Sequence, residues 1–252
     1  MAVLPLVGGI FVAMETRVVL YPWALLSSAL LAHAFTFRIV EPRRWAAIRL
    51  DRAALRARSV VAGTVLGALA VGVPSVVLLA TGWLQVISAA AGSSILTGLS
   101  TLLFLAPAAL WEELMFRGYA FTVLSEWLHP AVALGATSLV FGLVHLQNSG
   151  ASVPSILVVV LAGVFLGGVL LVTRSLYAAF AAHLAWNWTL AGALHTAVSG
   201  IPFVTPDYRI VDAGPDWATG GVWGPEGGVP AALGLTVATI YLYVRRPRRE
   251  EP

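Results

Sequence analysis

The chain alternates between long apolar runs and short polar or arginine-rich stretches. Apolar runs of about 17 to 25 residues can cross the hydrocarbon core of a bilayer as α-helices. A further apolar segment at 2–14 can span, lie in the interface or continue into the next helix. The pattern predicts an all-α, polytopic transmembrane bundle of seven or eight helices, folded as a single membrane domain over 1–252. The predicted spans are 18–40, 59–82, 94–127, 131–147, 153–173, 176–197 and 229–244.

Two arginine-rich stretches enclose six of these spans. One is the amphipathic loop 41–58, EPRRWAAIRLDRAALRAR, and the other is RRPRR at 245–249. Short loops with an excess of arginine favour the cytoplasm, and an even number of spans between them allows both to lie there. We therefore predict a cytoplasmic loop 41–58 and C-terminus, and an extracytoplasmic Gly/Pro-rich loop at 199–228. Trp217 and Trp223 make that loop resemble an interfacial one.

Composition supports a membrane protein and excludes several kinds of chemistry. The chain is 59% hydrophobic and 11% charged, whereas a soluble domain carries about 25% charged residues. Its arginines flank apolar spans, so the net charge of +3 indicates topology, and no nucleic-acid partner is expected. The absence of cysteine excludes a disulfide framework, a thiolate nucleophile and a Cys-ligated metal. The lack of lysine and the abundance of Ala, Gly and Val favour a prokaryotic cell-membrane protein.

Three ionisable residues, Glu112, Glu113 and Arg117, interrupt the middle of the apolar run at 94–127. Such groups are costly inside a bilayer and by default indicate function. Glu113 and Arg117 are four residues apart, so they can pair on one helical face. Glu112 lies about 100° further round the helix, where it can face a cavity and accept a proton from water. The alternative is an ion pair that only joins two helices.

Two histidines lie at membrane depth in later spans. His145 follows Phe141 by four residues and His183 precedes Asn187 by four, so each pair shares a helical face. An imidazole can act as acid, base or metal ligand, and an asparagine amide can donate to a developing oxyanion. The alternatives are a histidine hydrogen-bonded at a helix end and an interhelical hydrogen-bonded pair.

These segments also resemble the motifs of one protein family, in the same order. EELMFR at 112–117, FGLVH at 141–145 and HLAWN at 183–187 resemble the E-E-x-x-x-R, F-x-x-x-H and H-x-x-x-N/B motifs of the CPBP family. That family comprises the type II CAAX prenyl proteases and the bacteriocin-processing or self-immunity membrane proteases, also called the ABI family. The resemblance covers a motif-bearing core at about 94–197, and the stretch 214–228 resembles a tail of some prokaryotic members.

The resemblance implies an all-α membrane fold of about eight helices, endopeptidase activity and a cavity that opens toward the cytoplasm. It implies that Glu112 and His145 bind and activate the attacking water. His183 and Asn187 would stabilise the oxyanion or hold the water and the substrate. The predicted catalytic residues are Glu112, Glu113, His145, His183 and Asn187, with Arg117 and Phe141 in support.

Two versions of this mechanism are open. In one, Glu112 is the general base for a water molecule and there is no metal. In the other, Glu112, His145 and His183 hold a divalent metal such as zinc, which lowers the pKa of its bound water. One carboxylate and two imidazoles form an acceptable zinc ligand set.

The expected partners are the lipid bilayer and a protein or peptide substrate, with or without an attached lipid. A second functional hypothesis is a non-enzymatic transporter or peptide-binding scaffold, because carboxylates and histidines in membrane spans also relay protons. Transporters often contain inverted repeats, and the sequence shows no such duplication.

The three motifs can form one site only if their helices bring them to the same depth in the membrane. With helix ends at 128–131 and 174–176 on one face, His183 would lie about 10 Å inside the membrane and His145 about 22 Å from that face, at 1.5 Å per residue. The helices must therefore be tilted, short or broken, and the long segment 94–127 can protrude or break near Gly118.

Overall fold

A computed structural model describes residues 17–88, 94–203 and 208–245 of the chain. Within these ranges the fold is all-α, as the sequence predicts, with eight principal helices. The apolar segment 2–14 lies outside the described residues. The principal helices are α1 (Arg17–Phe35), α2 (Ala57–Ala80), α3 (Ser94–Arg117), α4 (Tyr119–Trp127), α5 (Pro130–Val144), α6 (Val153–Thr173), α7 (Leu176–Trp188) and α8 (Val229–Val244).

Five helical segments of the described chain are long and apolar enough to cross a membrane. Val229–Val244 is apolar but shorter. The span predicted at 176–197 is shorter in the structure: α7 ends at Trp188, a π-helical turn, Thr189–Ala193, follows it directly, and the helical backbone stops there. The five long segments are Leu20–Val40, Ala57–Ala80, Gly98–Trp127, Pro130–Gln147 and Val153–Thr173.

The long apolar run at 94–127 divides into α3 and α4 at Gly118, so of the two alternatives, protruding or breaking, the structure shows the break. A Cβ atom at Gly118 would lie 2.2 Å from the Leu114 carbonyl oxygen and 2.6 Å from Nε2 of His33. The N–H of Tyr119 donates to the same His33 nitrogen over 3.3 Å. His33 therefore satisfies one of the free N–H groups at the start of α4, and glycine leaves room for its ring.

Helix α7 packs against α2 through small residues. A Cβ atom at Gly63 would lie 2.3 Å from the carbonyl oxygen of Ala178, and one at Gly67 would lie 2.0 Å from that of Ala182. Glycines four residues apart let two helix backbones approach closely, which is a common basis of helix association in membranes. This contact fixes the position of α7, which carries the third sequence motif.

The loop regions contain one feature that the apolar pattern did not predict. Strands β1 (Leu84–Ser88) and β2 (Tyr208–Asp212) form a two-stranded antiparallel sheet with Leu84 opposite Asp212. Trp217 is 58% exposed and contacts the ring of Trp83 edge-on at 5.6 Å. Trp223, in contrast, is fully buried, so this residue does not support the prediction of an interfacial loop. The indole is large and apolar, and the fold encloses it.

Candidate active site

A cavity of about 110 Å³ lies between α3, α5, α6, α7 and α8. Glu112, His145, His183 and Asn187 all line it. These residues come from three different sequence motifs, and the fold brings them to one cavity. A cavity of this volume can hold several water molecules where polar groups are present to bind them.

Glu112 is the carboxylate that faces the cavity. Its Oε2 atom lies 3.6 Å from Nε2 of His183, and its side chain is 21% exposed. The 3.6 Å separation is too long for a direct hydrogen bond, but a shared water can bridge such a distance. Glu112 therefore combines access to the cavity with a nearby imidazole, which is the arrangement that a general base requires.

Glu113 points the other way and is completely buried. Its Oε1 atom accepts a hydrogen bond from Nη1 of Arg117 over 3.2 Å, the four-residue ion pair that the spacing allows. The same oxygen lies 2.9 Å from Nδ1 of His183. Arg117 also donates from Nη2 to the carbonyl oxygen of Gly163 over 3.1 Å. Glu113 and Arg117 thus join α3 to α6 and α7, behind the wall of the cavity.

The contact with Glu113 sets the orientation of His183. Because a carboxylate accepts hydrogen bonds, the Nδ1–H of His183 donates to it, and Nε2 is left on the side of Glu112. The two carboxylates and one guanidinium carry a formal charge of −1. Protonation of His183 brings the formal charge of the cluster to zero, and both ring nitrogens are then donors.

Phe141 contacts three charged or titratable groups of the site. Its ring is edge-on to that of His145 at 4.8 Å and to that of His183 at 6.1 Å between centroids. The guanidinium carbon of Arg117 lies 4.4 Å from its centroid, which is the geometry of a cation–π interaction. Phe141 therefore packs against the buried arginine and both imidazoles.

His145 lies at the C-terminal end of α5, where a 3-10 turn begins. Its Nδ1 atom lies 2.6 Å from the carbonyl oxygen of Phe141. A carbonyl oxygen only accepts, so Nδ1 carries the proton and Nε2 is free to bind water in the neutral ring. His145 is therefore hydrogen-bonded at a helix end, which was the alternative to a functional role. It also lines the cavity, so the two interpretations hold together.

One further carboxylate, Glu226, lines the cavity and was missed from the sequence. It is 6% exposed, and its Oε1 atom accepts hydrogen bonds from the backbone N–H and the hydroxyl of Ser199. Its Oε2 atom accepts one from the indole N–H of Trp186. Glu226 thereby fastens the loop 199–228 to α7 between His183 and Asn187. The only sequence signal was its place in the resemblance at 214–228.

The predicted metal ligands share the cavity but do not form a metal site in the described structure. Within residues 17–88, 94–203 and 208–245, no three His, Cys, Asp or Glu side chains are close enough to hold one ion. Glu112, His145 and His183 therefore do not fit a shared metal in this arrangement. The version of the mechanism that uses zinc stays a prediction.

Comparison with known proteins supports the resemblance found in the sequence. A family model described as type II CAAX prenyl endopeptidase Rce1-like matches residues 93–189, a range that contains all three motifs. No curated protein and no solved structure matches the chain. Residues 93–189 are therefore similar to an Rce1-like domain, consistent with the CPBP family. The long apolar helices of the described chain indicate a multi-pass membrane protein.

Proposed function

We propose that this protein is an intramembrane endopeptidase that hydrolyses peptide bonds of membrane-associated proteins or peptides. The observation that carries the proposal is the meeting of Glu112, His145, His183 and Asn187 at one cavity. Chemistry on a peptide bond needs a base for water and donors for the oxyanion, and these four side chains supply both.

In the proposed reaction, a water molecule binds between the Glu112 carboxylate and Nε2 of His145. Glu112 takes one proton from the water, and the oxygen attacks the carbonyl carbon of the substrate. The new C–O bond leaves negative charge on the former carbonyl oxygen, toward which protonated His183 and the Asn187 amide donate hydrogen bonds. Glu112 then gives its proton to the leaving nitrogen as the C–N bond breaks.

Glu113, Arg117 and Phe141 act on this reaction through His183. The Glu113 carboxylate accepts the hydrogen bond from Nδ1 of His183 and so fixes the orientation of its ring. Arg117 compensates the charge of Glu113, and Phe141 packs against both rings. These are positioning residues in the proposal, since their contacts are with the catalytic side chains.

The rest of the cavity wall favours an apolar substrate segment. The other side chains that line the cavity, around these four polar residues, include Phe104, Leu105, Val159, Phe165 and Phe203. Apolar surface of this kind stabilises a bound hydrophobic side chain by removing it from water. The proposed substrate is therefore a polypeptide with apolar residues next to the cleaved bond, whether or not it carries a lipid.

The test compares wild type with Glu112→Gln. Membrane proteomes of cells that express each form are compared, and the peptides that only wild type produces are resynthesised and tested on the purified proteins. We expect Glu112→Gln to lower turnover at least about 100-fold, which is the usual contribution of a general base, without unfolding the protein. Glu126→Gln is the control, because it removes an exposed carboxylate that pairs with Arg43 outside the cavity.

Retained turnover in Glu112→Gln would overturn the proposal. So would a wild-type protein that produces no cleavage but carries a solute into proteoliposomes, which is the result that the transporter hypothesis predicts. His145→Ala and His183→Ala are tested in the same assay, and each is expected to abolish cleavage.

A further inference from the structure

The loop 41–56 covers one end of the bundle, which we call the basic face. The loop contains five arginines and two carboxylates. Its Arg43 forms an ion pair with Glu126, near the end of α4. The carbonyl oxygen of Arg49 accepts a hydrogen bond from the N–H of Leu176, at the start of α7, over 3.1 Å. The basic face therefore includes the ends of α4 and α6 and the start of α7.

Two arginines meet at the end of α6 on this face. Nη1 of Arg49 donates to the carbonyl oxygen of Leu170 over 3.2 Å, and the backbone N–H of Arg174 donates to the same oxygen over 2.8 Å. The Ser175 hydroxyl donates to the carbonyl oxygen of Ala54 over 2.7 Å, which holds the loop against this part of the chain. Arg49 and Arg174 therefore approach one carbonyl group, the first through its side chain and the second through its backbone.

Neither guanidinium forms an ion pair within the described part of the chain, where the arginines that do so are Arg43 and Arg117. Arg49 is half-buried, whereas Arg174 is exposed. Burial, and after it the charge of Arg174, lower the pKa of the Arg49 guanidinium from its usual value. Arginine nevertheless stays charged in proteins. Two like charges thus lie close together, one of them partly removed from water, which is unfavourable without a counter-ion.

Two ordinary roles account for only part of this arrangement. A helix C-terminus attracts cations, which explains one guanidinium at the end of α6. Arginines of short loops set membrane topology, which explains the exposed ones. Neither role explains why the half-buried Arg49 lies beside a second guanidinium.

The pair lies where the phosphate groups of a bilayer are expected. Helix α6 is long and apolar enough to cross a membrane, and Arg174 is the residue that follows it. Helix α2 is a second such segment and begins at Ala57, directly after the loop. The ends of membrane-spanning helices reach the head-group region. Guanidinium groups bind phosphate oxygens there through paired N–H donors, and basic pockets between spans bind anionic head groups.

We propose that Arg49 and Arg174 bind the phosphate of an anionic phospholipid, which supplies the counter-ion of the pair. The apolar side chain of Leu55, in the same loop, is 56% exposed and is available to the acyl chains. Because the loop is hydrogen-bonded to Ser175 and Leu176, the bound lipid stabilises the start of α7.

The test uses the full-length protein purified in a non-ionic detergent. Phosphatidylglycerol is titrated in, and phosphatidylcholine with the same acyl chains is the zwitterionic control. Native mass spectrometry measures lipid binding, and the unfolding temperature is recorded in parallel. The main variant is Arg174→Gln, which removes an exposed side chain and keeps the backbone contacts. Arg38→Gln is the matched control, because it removes the charge of another exposed arginine, in the π-helical turn after α1.

We expect wild type to bind phosphatidylglycerol at least about tenfold more tightly than phosphatidylcholine and to unfold at a higher temperature with it. Arg174→Gln should bind phosphatidylglycerol at least about fivefold more weakly than wild type, and Arg38→Gln should bind it as wild type does. Without the lipid, Arg174→Gln should be at least as stable as wild type, because it removes a repulsive charge. With saturating phosphatidylglycerol this order should reverse.

Equal binding by wild type and Arg174→Gln would overturn the proposal, and so would an equal loss in Arg38→Gln, since the lipid would then recognise the basic surface as a whole. Lower stability of Arg174→Gln both with and without lipid, at unchanged affinity, would leave only the role at the helix end. If inorganic phosphate at the same concentration raises the unfolding temperature as much as phosphatidylglycerol does, the site binds a soluble phosphate and the lipid is rejected. Binding and unfolding are measured without a substrate, so the result does not depend on the proposed peptidase activity.

Discussion

Nδ1 of His183 lies 2.9 Å from Oε1 of Glu113, and this contact joins the first sequence motif to the third. It connects α3 to α7 through a buried carboxylate that also pairs with Arg117. The same contact directs the other ring nitrogen of His183 toward Glu112. Adjacent glutamates therefore have different tasks: one faces the cavity, and the other holds the imidazole that faces it.

The first prediction concerns the stability of this buried pair. Glu113→Gln and Arg117→Met should each lower the free energy of unfolding by about 3 to 5 kcal/mol, because each leaves an uncompensated buried charge. The double substitution should be less destabilising than the sum of the single ones, since it removes both charges. Denaturant unfolding in detergent micelles measures this. Single variants as stable as wild type would contradict a structural role for the pair.

The matched comparison for that experiment is Glu112→Gln, on the neighbouring position of the same helix. Its carboxylate is partly exposed to the cavity and has no arginine within ion-pairing distance among the described residues. We expect it to unfold within about 0.5 kcal/mol of wild type, as substitutions outside buried networks usually do. Glu112→Gln would then lose turnover while keeping its stability, whereas Glu113→Gln would lose stability.

The second prediction concerns the close approach of α2 and α7. Gly67→Ala places a methyl group 2.0 Å from the Ala182 carbonyl oxygen, so the backbones must separate. We expect a loss of about 1 to 3 kcal/mol in unfolding free energy, the usual cost of overpacking. Turnover should also fall, because α7 carries His183. Gly135→Ala in α5 is the control, since a Cβ atom there has no heavy atom within 4 Å, and this variant should be as stable as wild type or more stable.

Much of the site was predictable because it depends on short-range spacing. The ion pair of Glu113 and Arg117 follows from a four-residue separation on a helix, and the shared faces of His145 with Phe141 and of His183 with Asn187 follow from the same rule. The break at Gly118 was one of the two outcomes expected from the length mismatch between helices. The apolar runs likewise predicted the all-α fold, because every backbone polar group in a bilayer needs an internal partner.

The missed features depend on contacts between distant segments. Glu226 enters the cavity by folding of a Gly/Pro-rich loop, and no spacing rule connects it to Ser199 or Trp186. Trp223 is buried by the same loop, so its amphipathic ring alone did not reveal its position. His33, far away in α1, accepts a hydrogen bond at the start of α4. Only the tertiary fold brings this side chain to Tyr119.

The third prediction concerns acid sensitivity at the basic face. The Tyr119 hydroxyl, and after it Arg43, hold the pKa of the Glu41 carboxyl below its usual value of 4.5. A depressed folded-state pKa stabilises the fold above the unfolded pKa, and the contribution is lost as the pH falls through the folded one. Wild type should therefore lose stability more steeply than Glu41→Gln below about pH 4.5. The effect should be small, because Glu41 interacts close to solvent.

Thermal unfolding of both proteins between pH 7 and pH 3 measures this difference. Arg52→Gln is a suitable control, since Arg52 is exposed on the same face and removal of its charge should leave the pH dependence unchanged. Parallel curves for wild type and Glu41→Gln would show that the contacts of Glu41 do not contribute in solution.

The last prediction concerns metal removal, which distinguishes the two versions of the mechanism. Because no three suitable donors of the described residues approach one point, we expect the purified protein to keep its peptidase activity after dialysis against a strong chelator. Its unfolding temperature should also stay unchanged, whereas a protein that binds a metal only in its folded state loses stability when the metal is removed. Elemental analysis of the same sample shows whether any zinc accompanies the protein. Activity that disappears with chelation and returns with zinc would contradict this prediction. It would mean that Glu112, His145 and His183 close around an ion when substrate or metal binds. The metal-free assignment of Glu112 as general base would then be wrong.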